Sequence, residues 1–168
     1  MNNADIKKLS TCSILLALAL VLSFFESTVF PSILPLPGVK LGLSNIVTLF
    51  SLYVFGGIPC AVILILRCIV ASFFGGGVTS LFFSLAGGLL ALITMMLIKH
   101  FGSFSIYGVS ISGSATHSIG QILAAAIIFD SSSIFMYLPI MLIASLFTGA
   151  GIAFAAQFLL TRIKMYKK

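Results

Sequence analysis

Six stretches of almost unbroken apolar sequence, separated by short clusters of Gly, Pro, Ser and charge, dictate the solvent in which this chain can fold. They cover residues 9–25, 41–55, 59–74, 78–98, 106–129 and 134–160. Crossing about 30 Å of hydrocarbon takes about 20 apolar residues in a helix, and fewer where polar ends reach the interface. A chain of 168 residues that is 60% hydrophobic and 7% charged has too few polar residues for a water-facing shell. The solvent is lipid. There every backbone N–H and C=O must be satisfied internally, which favours helices. The expected fold is an all-α integral membrane protein, a bundle of about six transmembrane helices in one domain spanning residues 1–168.

The breaks between the runs differ in kind. Glu26 ends the first, and PSILPLPG follows, where Pro31, Pro35 and Pro37 disfavour a continuous helix. Gly56-Gly57 and Gly75-Gly76-Gly77 mark the next two turns, and Pro59 suits a first helical turn. The second and third runs are short, which leaves room for a kinked or re-entrant arrangement. LSTC at 9–12 resembles a lipoprotein cleavage site, but the apolar run follows Cys12 instead of preceding it, so the first run reads as a retained helix.

Six crossings bring both termini to one side, together with Lys7, Lys8, Lys99, Arg162, Lys164, Lys167 and Lys168. Only Lys40 falls opposite. The positive-inside rule makes the lysine-rich side cytoplasmic and the location the plasma membrane. The formal charge of +6 is then an orientation signal and not a mark of nucleic-acid binding.

Inside the runs, Arg67 stands in the middle of AVILILRCIVAS, and none of the three acids (Asp5, Glu26 and Asp130) is near it in sequence. A cation at that depth costs on the order of several kcal/mol unless it faces a polar cavity or a partner. At about 1.5 Å per residue, Arg67 lies roughly 12 Å from the cytoplasmic start of its helix. His117 is about as deep, with Gln121 one turn further out on the same face. Asn45 is one turn inside the second run, while Glu26, Lys40 and Asp130 fall at the outer boundary. These residues predict a pocket opening outward, floored by Arg67 and His117 and rimmed by Glu26, Lys40 and Asp130. Arg67, His117 and Asn45 should converge on it. Two cations point to an anionic small-molecule ligand, and two rim acids oppose that inference.

Plainer readings stand beside these. Arg67 would otherwise bond carbonyls at a helix break, His117 would be a satisfied packing histidine, and Lys40 would snorkel. Gln121 and Asn45 would be interhelical glue, at about 0.6–2 kcal/mol per bond. For Asp130 an interfacial cap is the preferred reading. Small residues recur at four-residue spacing, as in Ser13/Ala17, Ala19/Ser23 and Gly113/His117/Gln121. Such faces let helices approach closely, within the chain or against a partner membrane protein. No inverted repeat is evident, which argues against a self-contained secondary transporter.

Several chemistries are excluded. Diphosphate-processing prenyl synthases need clustered aspartates to hold magnesium, and three isolated acids supply none. There is no GxxxxGK[ST] loop and no Cys/His metal constellation. Cys12, Cys60 and Cys68 read as apolar filler. No catalytic residue, metal or cofactor is expected.

The segments PLPGVKLGLSNIVTL (35–49), FSLAGGLLAL (83–92) and SGSATHSIGQ (112–121) resemble the Gx transporter family, whose older label is heptaprenyl diphosphate synthase component I. The likeness covers about residues 10–160. Its matching positions are Pro37, Gly38, Lys40, Gly42 and Asn45, then Ala86, Gly87 and Gly88, then His117, Gly120 and Gln121. Arg67 matches a basic position of the family. The family is similar in size and span number to the substrate-binding S components of energy-coupling-factor (ECF) transporters. The resemblance implies capture of a small molecule, such as a vitamin or cofactor precursor, from outside. A separate membrane coupling protein and two cytoplasmic ATPases would drive uptake. S components dock through Ala-x-x-x-Ala on the first helix, where this chain offers Ser13/Ala17 and Ala19/Ser23. The older label implies an alternative, an accessory membrane subunit for heptaprenyl diphosphate or menaquinone synthesis or for flavin- and quinone-based electron transfer.

Overall fold

Long apolar runs without interior proline fold as long helices, and the breaker clusters set their ends. The computed structural model describes residues 2–29 and 39–166. Pro31, Pro35, Pro37, Gly38, Lys167 and Lys168 lie outside the described residues. The helices are α1 (Asn3–Val29), α2 (Asn45–Val54), α3 (Gly57–Ala71), α4 (Gly77–His100), α5 (Ile106–Ile128) and α6 (Leu138–Tyr166). A π-helical turn, Ser72–Gly76, joins α3 to α4, and a 3₁₀ turn, Ser132–Tyr137, leads into α6. The chain is 89% helical, with no strand among the described residues, and five of the helices are long and apolar enough to cross a membrane.

The exception is α2. Its 10 residues rise only about 15 Å, half a bilayer core. The sequence predicts helix from residue 41, but residues 39–44 are non-helical, with Gly42 at φ +85°. That conformation suits glycine and disfavours residues with a Cβ. Backbone of this kind survives at membrane depth only where protein or a cavity satisfies it. Here protein does, because α2 is buried on nearly every side and touches α1, α3, α4 and α6.

Side-chain contacts order the two ends of the bundle. At one end Lys99 Nζ donates to the Leu52 carbonyl at 2.7 Å and lies 4.5 Å from the Tyr53 ring centre, so α2 finishes beside the end of α4. Tyr107 and Arg162 share a surface cleft there, and Cys12 and Leu16 of α1 pack in one cluster with Leu160 of α6. Lys7, Lys8, Lys99 and Arg162 therefore belong to a single end. Asp130 marks the other, exposed and at φ +46°, a left-handed conformation that a short polar side chain tolerates.

The radial pattern is that of a membrane protein. Ile14, Val21, Val62, Val78, Leu97, Phe147 and Phe154 face outward, while Glu26, Asn45, Arg67, His117 and Gln121 are buried. Glycine permits close contact at the crossing of α4 and α5. A Cβ on Gly120 would stand 2.8 Å from both the Ala86 carbonyl oxygen and the Gly87 Cα. One on Gly87 would stand 2.8 Å from the His117 carbonyl oxygen. The crossing thus lies at the level of His117 and Gln121. The small-residue stripe on α5 is turned inward, with Gly113, His117 and Gln121 all buried.

Candidate functional site

The non-helical segment before α2 meets α1, α3 and α5 around a small polar chamber. Ser23, Lys40, Gly42, Ser44, Arg67, Cys68, Ala71, Ser84, His117 and Gln121 line it. Gln121 is seven residues short of the end of α5 at Ile128, which sets the chamber about 10 Å below the Asp130 end. Its free volume is about 10 Å³, room for about one water molecule.

Arg67 does not snorkel. It is 3% exposed, and its Nη1 donates to Ser44 Oγ while Nη2 faces Cys68 Sγ at 3.7 Å. No carboxylate lies within ion-pair distance of it among the described residues. A guanidinium has five donors, so two such contacts leave it short of acceptors. Glu26 is within electrostatic reach of both Arg67 and Lys40.

A second network runs through α5. The Lys40 backbone N–H donates to Gln121 Oε1 at 3.1 Å, which fixes the orientation of that amide. Gln121 Nε2 must then donate to His117 Nε2, 2.9 Å away. His117 is held as the neutral tautomer carrying its proton on Nδ1, since an imidazolium would set two donors face to face. The chain Lys40–Gln121–His117 thereby ties the entering segment to the glycine crossing.

The sequence-derived residues separate into three groups. Arg67, His117, Gln121 and Lys40 line the chamber together. Asn45 and Glu26 stand behind it. Asn45 is fully buried beside Gly42, and neither amide atom has a hydrogen-bond partner among the described residues. Glu26 is not a rim residue in contact with water: it is 2% exposed, and its Oε1 accepts the Gly42 N–H at 2.5 Å. The reason is the inward path of residues 39–44, which covers the carboxylate and gives it a backbone donor. Asp130 is exposed and lines a different surface cleft, with Ser131 and Phe135.

The four α1 residues read as a docking face also divide. Ser13 and Ala17 are exposed, and the Ser13 hydroxyl bonds the Leu9 carbonyl of its own helix. Ala19 and Ser23 are 1% and 4% exposed, so the fold turns them toward α2 and α3 and away from any partner. Sequence reasoning missed Ser44, Ser84 and Cys68 as chamber residues. Ser44 and Ser84 were accessible through their places in GLSN and FSLAGG, whereas Cys68 carried only its adjacency to Arg67.

With that geometry in place, comparison with known proteins gives one match. The family model described as heptaprenyl diphosphate synthase component I matches residues 15–159. No curated protein and no solved structure matches the chain.

Proposed function

The chain belongs to the heptaprenyl diphosphate synthase component I family, matched over most of its length, and from that premise we propose that it is the substrate-binding subunit of an uptake system. In this reading the lysine-rich end faces the cytoplasm, following the positive-inside rule. The chamber then opens outward and takes a small molecule with an anionic group. Transport depends on a separate membrane coupling protein and cytoplasmic ATPases, because the sequence carries no nucleotide-binding loop. The observation that carries the reading is Arg67, buried on the wall of a polar chamber without an ion-pair partner among the described residues. Retaining such a charge is costly unless something uses it.

The chamber's small volume has a consequence. A ligand larger than water reaches Arg67 only if residues 39–44 shift, and those residues are held by Gly42 to Glu26, Lys40 to Gln121 and Ser44 to Arg67. Binding and a change in that segment are therefore coupled in this proposal. Catalysis has no place in it: Asp5 and Asp130 lie at opposite ends of the bundle and Glu26 lies inside, so the acids cannot share a magnesium ion.

Native mass spectrometry on protein purified from its own membrane tests the proposal. The wild type should carry an anionic small molecule that Arg67→Ala lacks. If both proteins are equally ligand-free across vitamin, flavin and phosphorylated-metabolite panels, the reading fails. A second reading, an accessory subunit of prenyl diphosphate synthesis, draws on the family's name. It requires a soluble synthase that co-purifies with this chain and loses turnover when the chain is removed.

A further inference from the structure

We propose that the ligand of this site is a single-chain amphiphile, with a small anionic head at Lys40 and Arg67 and an apolar chain that leaves sideways between α1 and the end of α3. The proposal rests on the substrate-binding reading above and names the class of substrate.

Two volumes decide the shape of the ligand. The polar chamber offers about 10 Å³, while a groove beside it offers about 330 Å³. Leu20, Val21, Phe24 and Phe74 wall the groove, and its surface is overwhelmingly apolar. The two spaces adjoin: Ser23, Lys40 and Ala71 line both and form the thin wall between them. Ser23 of α1 and Ala71 of α3 both belong to that wall, and their side chains are small, so little bulk separates groove from chamber. Lys40 stands at the junction. Most of the available room is thus greasy, and the cationic room beyond it admits a small head group only once residues 39–44 shift.

The groove also opens to lipid, since Val21, Phe24 and Phe74 are strongly exposed on the outer surface of the bundle. A soluble polar vitamin gains nothing from such walls and would have to cross hydrocarbon to use them. An amphiphile needs no such crossing. Its chain stays in an apolar medium throughout, and only its head exchanges interfacial water for Lys40 and then Arg67. The charge balance agrees, because two cations face one carboxylate, and Glu26 is already engaged by the Gly42 N–H. A carboxylate or phosphate monoester head fits that balance.

The test uses the full chain in lipid nanodiscs, with four probes: an isoprenyl monophosphate, a fatty acid of equal length, the matching neutral alcohol, and inorganic phosphate. At least one anionic amphiphile should bind ten-fold or more tighter than the alcohol and inorganic phosphate. Lys40→Gln should remove most of that difference. Which head binds better separates phosphate from carboxylate recognition. A version carrying a photoreactive group at its chain end should label peptides holding Val21, Phe24 or Phe74, and unlabelled probe should compete. That labelling keeps the idea testable if Lys40→Gln folds poorly. Equal binding of alcohol and anion, or labelling spread over all helices, would mean ordinary lipid filling and overturns the proposal. If a water-soluble anion co-purifies, is lost in Arg67→Ala and is not displaced by either amphiphile, the amphiphile is wrong and the binding subunit stands. If Arg67→Ala loses nothing, both readings fall together.

Discussion

Arg67 and Gly42 are the two residues on which the site turns, and each makes a separable prediction. Arg67 is buried with a hydroxyl and a thiol for company, a poor exchange for the water it gave up. Replacing an unpaired buried charge by an apolar residue of similar volume lifts a desolvation penalty on the order of several kcal/mol. Arg67→Met should therefore keep or raise the melting temperature of the purified protein while abolishing retention of its anionic ligand. A large fall in melting temperature would instead mark Arg67 as structural. Gly42 is held at φ +85°, and a Cβ there would lie 2.9 Å from Asn45 Nδ2 and 3.0 Å from His117 Cδ2. The left-handed conformation alone costs a non-glycine residue about 1–2 kcal/mol. Gly42→Ala should destabilise by at least that amount in a detergent unfolding titration and should also weaken ligand binding, because relieving the clash displaces the backbone N–H that Glu26 accepts.

At the scale of elements, the glycines of the family-like motifs serve packing more than chemistry. Gly120 meets backbone of α4, which cannot give way, whereas Gly88 meets the Leu64 side chain at 3.2 Å, which can rotate. Overpacking against an immovable neighbour costs about 1–3 kcal/mol. Gly120→Ala should thus lower stability by that order, and Gly88→Ala by less. Gly151, on α6, has open space where a Cβ would go. Gly151→Ala should be neutral, or stabilising by up to about 1 kcal/mol through helix propensity. Thermal unfolding of the three variants in one detergent checks the ranking, and equal losses would refute the packing argument. The long helices α4, α5 and α6 were legible because hydropathy and breakers agree along them. The start of α2 was not. Residues 41–44 (LGLS) look like the head of an apolar helix, yet Glu26 from another helix captures the Gly42 N–H, and no local pattern announces a contact sixteen residues away. Periodicity misled for Ala19 and Ser23 as well, since small spacing shows that a face is close-packed but not against what.

For the whole molecule, sequence gave the lipid solvent and the clustering of basic residues, because both follow from composition and order along the chain. The chamber's size and the apolar groove beside it were beyond it, since they arise where several elements meet and not from any one segment. The uptake proposal depends on which end of the bundle faces which compartment. Lys7, Lys8, Lys99 and Arg162 share one end, and the chamber lies nearer the other, below Asp130. Positive-inside logic puts the basic end in the cytoplasm. Ser103 in the α4–α5 connection and Ser132 after α5 are exposed at opposite ends, and both are small enough to replace. In a background where Cys12, Cys60 and Cys68 are changed to Ala, Ser132→Cys should react with a membrane-impermeant maleimide on intact cells. Ser103→Cys should react only after permeabilisation. The reverse pattern would point the chamber at the cytoplasm, where a binding subunit cannot capture a substrate from outside. Such an outcome would leave the fold, the family and the adjoining cavities untouched and would turn the proposed direction of ligand access around.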